Sequence, residues 1–183
     1  TTTEEAAGHA GGNSGMGGDF LFRWGNPHSY NRGSDLDRVL DDQHSVNWIP
    51  EGYPGEGNLI LFNNNYGLNS AVFEIVTPIN EEGTYSISPG QPYGPIEPIW
   101  IHTGPFHTQM QGGAFRLPNG NTLITDCNDA TIFEVTYDHD IVWVNDFSSG
   151  AGPSFIARAQ KYSMDYLGGC LLYTSDAADE RNS

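Results

Sequence analysis

Apolar residues fall along the chain in short bursts rather than at helical spacing. Phe20-Leu21-Phe22-Arg23-Trp24 is closed by Gly25-Asn26-Pro27, and Asn58-Leu59-Ile60-Leu61-Phe62 by three asparagines before a glycine. Ala71-Val72-Phe73-Glu74-Ile75-Val76 stops before Pro78, and Pro98-Ile99-Trp100-Ile101 before Gly104-Pro105. Residues 113–117, 122–125, 131–135 and 141–144 continue the series. Each burst is short, rich in β-branched or aromatic residues and bounded by Asn, Asp, Gly or Pro, the pattern of strands joined by turns. Only 34–42 shows helical spacing, with Ser34 as cap and Leu36, Val39 and Leu40 on one side. The chain is predicted to be all-β.

The bursts also repeat. His44-Ser45-Val46-Asn47-Trp48-Ile49-Pro50, Gly57-Asn58-Leu59-Ile60 and Ala71-Val72-Phe73-Glu74-Ile75 run in parallel with a second set. That set is Gly112-Gly113-Ala114-Phe115-Arg116-Leu117-Pro118, Asn121-Thr122-Leu123-Ile124 and Thr131-Ile132-Phe133-Glu134-Val135. The copies close on Ile99-Trp100 and Val142-Trp143, and Leu21-Phe22-Arg23-Trp24 resembles the closing strand of an earlier copy. Four short antiparallel strands per unit describe one blade of a β-propeller. Blades are expected over about 44–101 and 111–145, after a partial one. The second should be the more regular, because Pro118-Asn119-Gly120-Asn121 suits a tight hairpin while 51–57 is an insertion. A β-sandwich with two similar hairpins is the rival architecture. Two full copies are too few to close a ring, so 19–169 is expected to be a fragment of a single propeller domain.

The ends differ in character from this body. Residues 1–18 are Gly-rich and small, the composition of a loop or linker. The tail from Cys170 to Glu180 has the look of translated sequencing-adapter read-through, so 170–183 is set apart as non-native. Without it Cys127 is the only cysteine, and no disulfide to Cys170 is inferred. Charge narrows the function further. Seven Lys and Arg against 23 Asp and Glu give a net charge of −16, which repels phosphate backbones and makes nucleic acid a poor partner. No apolar run approaches the roughly 18 residues of a membrane span. Neither the acidic loops nor Cys127 with His139 has the spacing of a calcium or zinc site, so no metal is expected.

Three stretches resemble the bacterial arylsulfotransferase (aryl-sulfate sulfotransferase) family: GDFLFRWGNPHSYNRGSDLDRVLDDQHSVNWIPEGYPGEGNLILFNN, FRLPNGNTLITDCNDATIFEVTYDHDIVWVNDF and SFIARAQKYSMDYLG. The likeness runs over about 1–168. The pattern RWGNP, QH, WIP and GNLILFNN is the more specific part, while LPNGNTLI with FEV and IVW is shared among propellers generally. The resemblance implies an exported propeller, periplasmic or secreted, that moves a sulfuryl group from a phenolic sulfate ester to a phenol through a sulfohistidine. It implies no cofactor; the partners are a small aryl sulfate donor and a phenolic acceptor. Relatives often carry an acidic and basic pair after the LLF motif, whereas this chain has Phe62-Asn63-Asn64-Asn65-Tyr66-Gly67.

Such a transfer needs a neutral imidazole nucleophile and donors for the sulfate oxygens. His44 is the first candidate. It follows Gln43 at the entry of a blade, at the family's QH position, and the parallel copy has Gln111-Gly112 instead. His9, in the Gly-rich stretch, is the second catalytic candidate and Arg116 the third. His102 and His107 flank Gly104-Pro105 and, with Arg23 and Trp48, are candidates for substrate binding. His28 and His139 are expected in turns. A non-catalytic propeller that binds or scaffolds is the competing class, and a quinone-dependent propeller dehydrogenase a more distant one.

Overall fold

The computed structural model describes residues 2–148, 155–163 and 166, so the expectation for 170–183 lies outside it. Among the described residues, eight strands form two four-stranded antiparallel sheets, each with its strands in chain order. The first contains β1 (Gln43–Trp48), β2 (Leu59–Tyr66), β3 (Asn69–Ile75) and β4 (Trp100–Thr103). The second contains β5 (Gly113–Arg116), β6 (Thr122–Asp126), β7 (Thr131–Val135) and β8 (Ile141–Asp146). With 31% strand and 7% helix, the class is all-β, and the two sheets do not close into a ring.

The sheets pack face to face. Ile60, Phe62, Val72 and Trp100 of the first meet Ala114, Ile124, Phe133 and Val135 of the second in one buried cluster. Alternation along each strand sends the next residues to the opposite face. There Leu61, Ala71 and Phe73 are covered by Trp24, Val39 and Leu40. The second sheet receives a similar cover from the segment after it: Gly112 N–H donates to Ala157 O and Ala159 N–H to Thr125 Oγ1.

The sequence repeat has a counterpart in hydrogen bonds. Asn58 Nδ2 donates to Glu74 Oε1 at 2.7 Å, and Asn121 Nδ2 donates to Glu134 Oε1 at the same distance. Each glutamate then meets a cation from the next segment, Arg116 for Glu74 and Lys161 for Glu134. The turns also follow the expected contrast. Leu117 N–H to Asn121 O closes a short hairpin between β5 and β6, while the β1–β2 connection is longer and carries its own turn from Tyr53 to Glu56. A larger irregular excursion, 76–99, separates β3 from β4.

Three local expectations give way to the structure. The asparagines after Phe62 do not end a strand; β2 runs through them to Tyr66, and Asn63 and Asn64 are fully buried. Their amides make this affordable, because each finds backbone partners: Asn63 takes Asp41 N–H and gives to Val39 O, and Asn64 Nδ2 gives to Thr108 O and Gln111 O. Residues 20–24 form no strand: Trp24 packs on Phe73 of the first sheet, Phe22 stacks on Tyr85 and Tyr93 of the 76–99 excursion, and Phe20 is exposed. The helical spacing at 34–42 yields a single 3₁₀ turn, Asp35–Asp37, with Ser34 and Asp37 capping each other. Leu36 is 96% exposed there, so only Val39 and Leu40 face the core.

Candidate functional site

His44 lies near the start of β1, where the backbone is bent on both sides of it. Asp42 and Ser45 have φ of 53° and 55°, the left-handed region that side chains other than glycine seldom occupy. The β1–β2 register also shifts between His44 and Asn47. Irregularities of this kind re-aim a side chain. His44 Nδ1 lies 2.8 Å from Asn64 Oδ1 and 3.0 Å from Asp42 O. Asn64 turns its Nδ2 to two carbonyls, so its Oδ1 is the atom that faces the imidazole. Both neighbours of Nδ1 are therefore acceptors, which places the ring proton on Nδ1. The lone pair is left on Nε2.

The half-buried ring lines a cleft of about 720 Å³ together with Arg23, Arg38, Asn26, Asp42 and Gln43. The aromatic part of the wall comes from Phe20, Phe22 and Trp24. Two cations in a chain this acidic are informative. The Arg23 guanidinium sits 4.6 Å from the Phe20 ring centre and makes no ion pair among the described residues. Arg38 gives its Nε–H to Leu40 O at 2.8 Å and pairs with Asp41. The cleft thus combines an imidazole of fixed tautomer, planar cations suited to a tetrahedral oxyanion and aromatic faces.

The other candidates are placed elsewhere. Arg116 is buried between the sheets against Glu74, with its guanidinium 5.2 Å from the Trp100 ring centre, and it does not line the cleft. His9 is exposed and lies 2.7 Å from Asp19, and His28 pairs with Asp35 in the same exposed manner. Trp48, at the far end of β1, is half exposed, and His107 is exposed. His102 is buried in a second cavity between the sheets, stacked on Trp100 and Phe106. Its Nδ1 lies 3.3 Å from Nδ1 of His139. Burial, helped by that second imidazole, pushes the His102 pKa down to about 4.

His44 and Arg23 therefore share one cleft, and His102 belongs to another. Sequence reasoning gave Arg38 and Asn64 no role. Arg38 follows a polar turn with nothing in its neighbours to single it out, and Asn64 is one of three consecutive asparagines. His139 does sit in the β7–β8 turn with φ of 74°, as expected, but its ring also stacks on Trp100 at 5.3 Å. Comparison with family models, with curated proteins and with solved structures finds no match to the chain.

Proposed function

We propose that this chain is part of an arylsulfotransferase-like β-propeller in which His44 accepts a sulfuryl group from a phenolic sulfate ester. The observation that carries the reading is the pairing of Nδ1 with Asn64 and Asp42, which reserves Nε2 for attack beside Arg23 and Arg38. Nε2 attacks sulfur, the N–S bond forms, and the S–O bond to the aryl group breaks. The aryl oxide leaves with the bonding pair and takes a proton from water. A phenol oxygen then attacks the same sulfur, the N–S bond breaks, and the phenolic proton passes to solvent as His44 regains its lone pair. Arg23 and Arg38 hold the sulfate oxygens through both steps. Phe20, Phe22 and Trp24 supply flat apolar surface for an aryl ring.

The propeller part of this reading rests on the repeated Asn–Glu–cation arrangement. Glu134 meets Lys161 of the following segment as Glu74 meets Arg116 of the following sheet. That is what a further sheet stacked in the same manner calls for. An exported location, periplasmic or secreted, follows from the family likeness.

The test is covalent trapping. The chain is incubated with 4-nitrophenyl sulfate without acceptor, and peptide mass spectrometry maps any sulfuryl adduct. Adduct on His44, absent from His44→Asn, is the expected result, and it should be discharged on adding a phenol. Adduct on another histidine, or turnover undiminished in His44→Asn, overturns the assignment. A binding or scaffolding propeller would give no adduct at all.

A further inference from the structure

The two sheets touch where β1 and β2 meet β5. Toward β4 on one side and β7 and β8 on the other they part, leaving a cavity of about 410 Å³. Its apolar wall includes Phe106 and Phe133, whose ring centres are 5.3 Å apart, and the exposed side chain of Val144 at its mouth. The polar group that decides what fits there is the imidazole of His102.

His102 is 4% exposed, and most of its ring is spoken for. Trp100 and Phe106 stack against it, with ring centres at 5.8 and 5.9 Å. Its Nδ1 lies 3.3 Å from Nδ1 of His139 while the ring centres are 5.5 Å apart, so the two imidazoles meet nitrogen to nitrogen. That leaves Nε2, which has no hydrogen-bond partner among the described residues and is not sealed from water. It points toward Gly104, another lining residue, and lies 3.9 Å from where a Cβ on that glycine would stand. The missing side chain keeps the space in front of Nε2 clear. A polar atom on a buried ring, open to an apolar cavity, calls for a partner that enters with an apolar body.

The imidazole pair narrows the chemistry of that partner. A hydrogen bond between two ring nitrogens holds one proton, and either Nδ1 can carry it. When His139 carries it, His102 presents an Nε2–H donor; when His102 carries it, Nε2 presents a lone pair. A hydroxyl group answers both forms, whereas a carbonyl answers only the first and an ammonium only the second. Anions are disfavoured, because Asp126 and Asp129 line the cavity, no lysine or arginine does among the described residues, and the net charge is −16. His102 does not offset this, since burial keeps it neutral near pH 7. We propose that this cavity binds a neutral phenol, its ring against Phe106 and Phe133 and its hydroxyl on His102 Nε2. The imidazole lies directly against Phe106, so a hydroxyl borne on the ring itself reaches Nε2 without a spacer. The volume is within the range of small-molecule pockets. The inference stands independently of the reaction assigned to His44.

The experiment follows the ring nitrogens of His102 by NMR in the histidine-labelled chain near neutral pH, with His102→Phe assigning the signal. The chain is titrated with 4-methylphenol, with toluene as the apolar match and 4-methylbenzoate as the anion. The signal should shift saturably with 4-methylphenol, which should bind about fivefold or more tighter than toluene, the scale of one hydrogen bond. It should not move with 4-methylbenzoate. Val144→Trp, a change at an exposed position that fills the cavity mouth, should abolish the saturable shift. Because His102 itself is the reporter, a phenol held in the His44 cleft does not register. Absence of a saturable shift, equal affinity for 4-methylphenol and toluene, binding of the benzoate as tight as that of the phenol, or undiminished binding by Val144→Trp overturns the proposal.

Discussion

Arg116 of β5 and Glu74 of β3 form an ion pair sealed between the two sheets, their side chains 1% and 3% exposed. Arg116 also gives a hydrogen bond to Gly120 O at 2.9 Å and lies against the Trp100 ring, so one guanidinium ties the second sheet to the first. A charge here is tolerable only because its partner is fixed on the facing strand, with Asn58 holding the other carboxylate oxygen.

Removing one partner should therefore be far worse than removing both. Arg116→Ala is expected to destabilise the fold by about 3–5 kcal/mol, because it strands the Glu74 carboxylate in the core. Arg116→Met with Glu74→Leu should recover most of that loss. Denaturant melts of the single and double variants measure it. A single variant as stable as the parent contradicts the structural role given to the pair.

Gly112 stands opposite His44 when the two copies are aligned by sequence, although the extra residue in β1 puts Gly113, paired with Thr125, at the ladder position that His44 takes opposite Phe62. The φ of Gly112 is 93°, and an added Cβ would approach the Phe62 ring to 2.8 Å. Gly112→Ala should cost about 1–3 kcal/mol, from the left-handed backbone and the displaced ring together. Thermal unfolding reads this directly.

The tautomer of His44 is open to spectroscopy. Nitrogen shifts of the ring should show the proton on Nδ1 in the parent. Asn64→Leu removes the Oδ1 acceptor, leaves Gln111 O unpaired and leaves Thr108 O with only Ser70 Oγ, so it should lose that preference and about 1–3 kcal/mol of stability. Its rate of sulfuryl trapping should fall while His44 remains in place. A parent with the proton on Nε2 would remove the basis for nucleophilic attack at that atom.

His102 makes stability depend on mild acid. Its folded pKa of about 4 lies below the ordinary value of 6.5, so the unfolded chain binds the extra proton between those limits. The contribution is complete above about pH 6.5 and is lost as the pH falls toward 4, to at most about 3 kcal/mol. His102→Phe keeps an aromatic ring against Trp100 and Phe106 and should flatten that part of the pH–stability curve. Identical curves for parent and variant would show that burial does not hold His102 neutral.

The strand pattern and the repeat are properties of local sequence, and they determined much of this protein by themselves. Short runs of β-branched and aromatic residues at 71–75 and 131–135, bounded by turn residues, specify strands whatever surrounds them. The matching Phe-Glu-Ile and Phe-Glu-Val segments specified two sheets of like order, and both are present with the expected limits. His44 stood out because its counterpart is glycine. What tertiary structure alone decided is where polar groups find partners. Three asparagines look like a turn until the facing segments offer Val39 O, Thr108 O and Gln111 O, after which they extend a buried strand. Phe20 to Trp24 looks like a strand, yet its rings find partners in Phe73, Tyr85 and Tyr93 instead of a ladder. Arg116, a catalytic candidate in sequence, and Arg23, a substrate-binding one, part company in the fold: Glu74, 42 positions away, takes the first into the core, while the second is left facing a cleft. Hydrophobic period is local, but hydrogen-bond and charge satisfaction is settled between residues far apart in the chain, and the site depends on the latter.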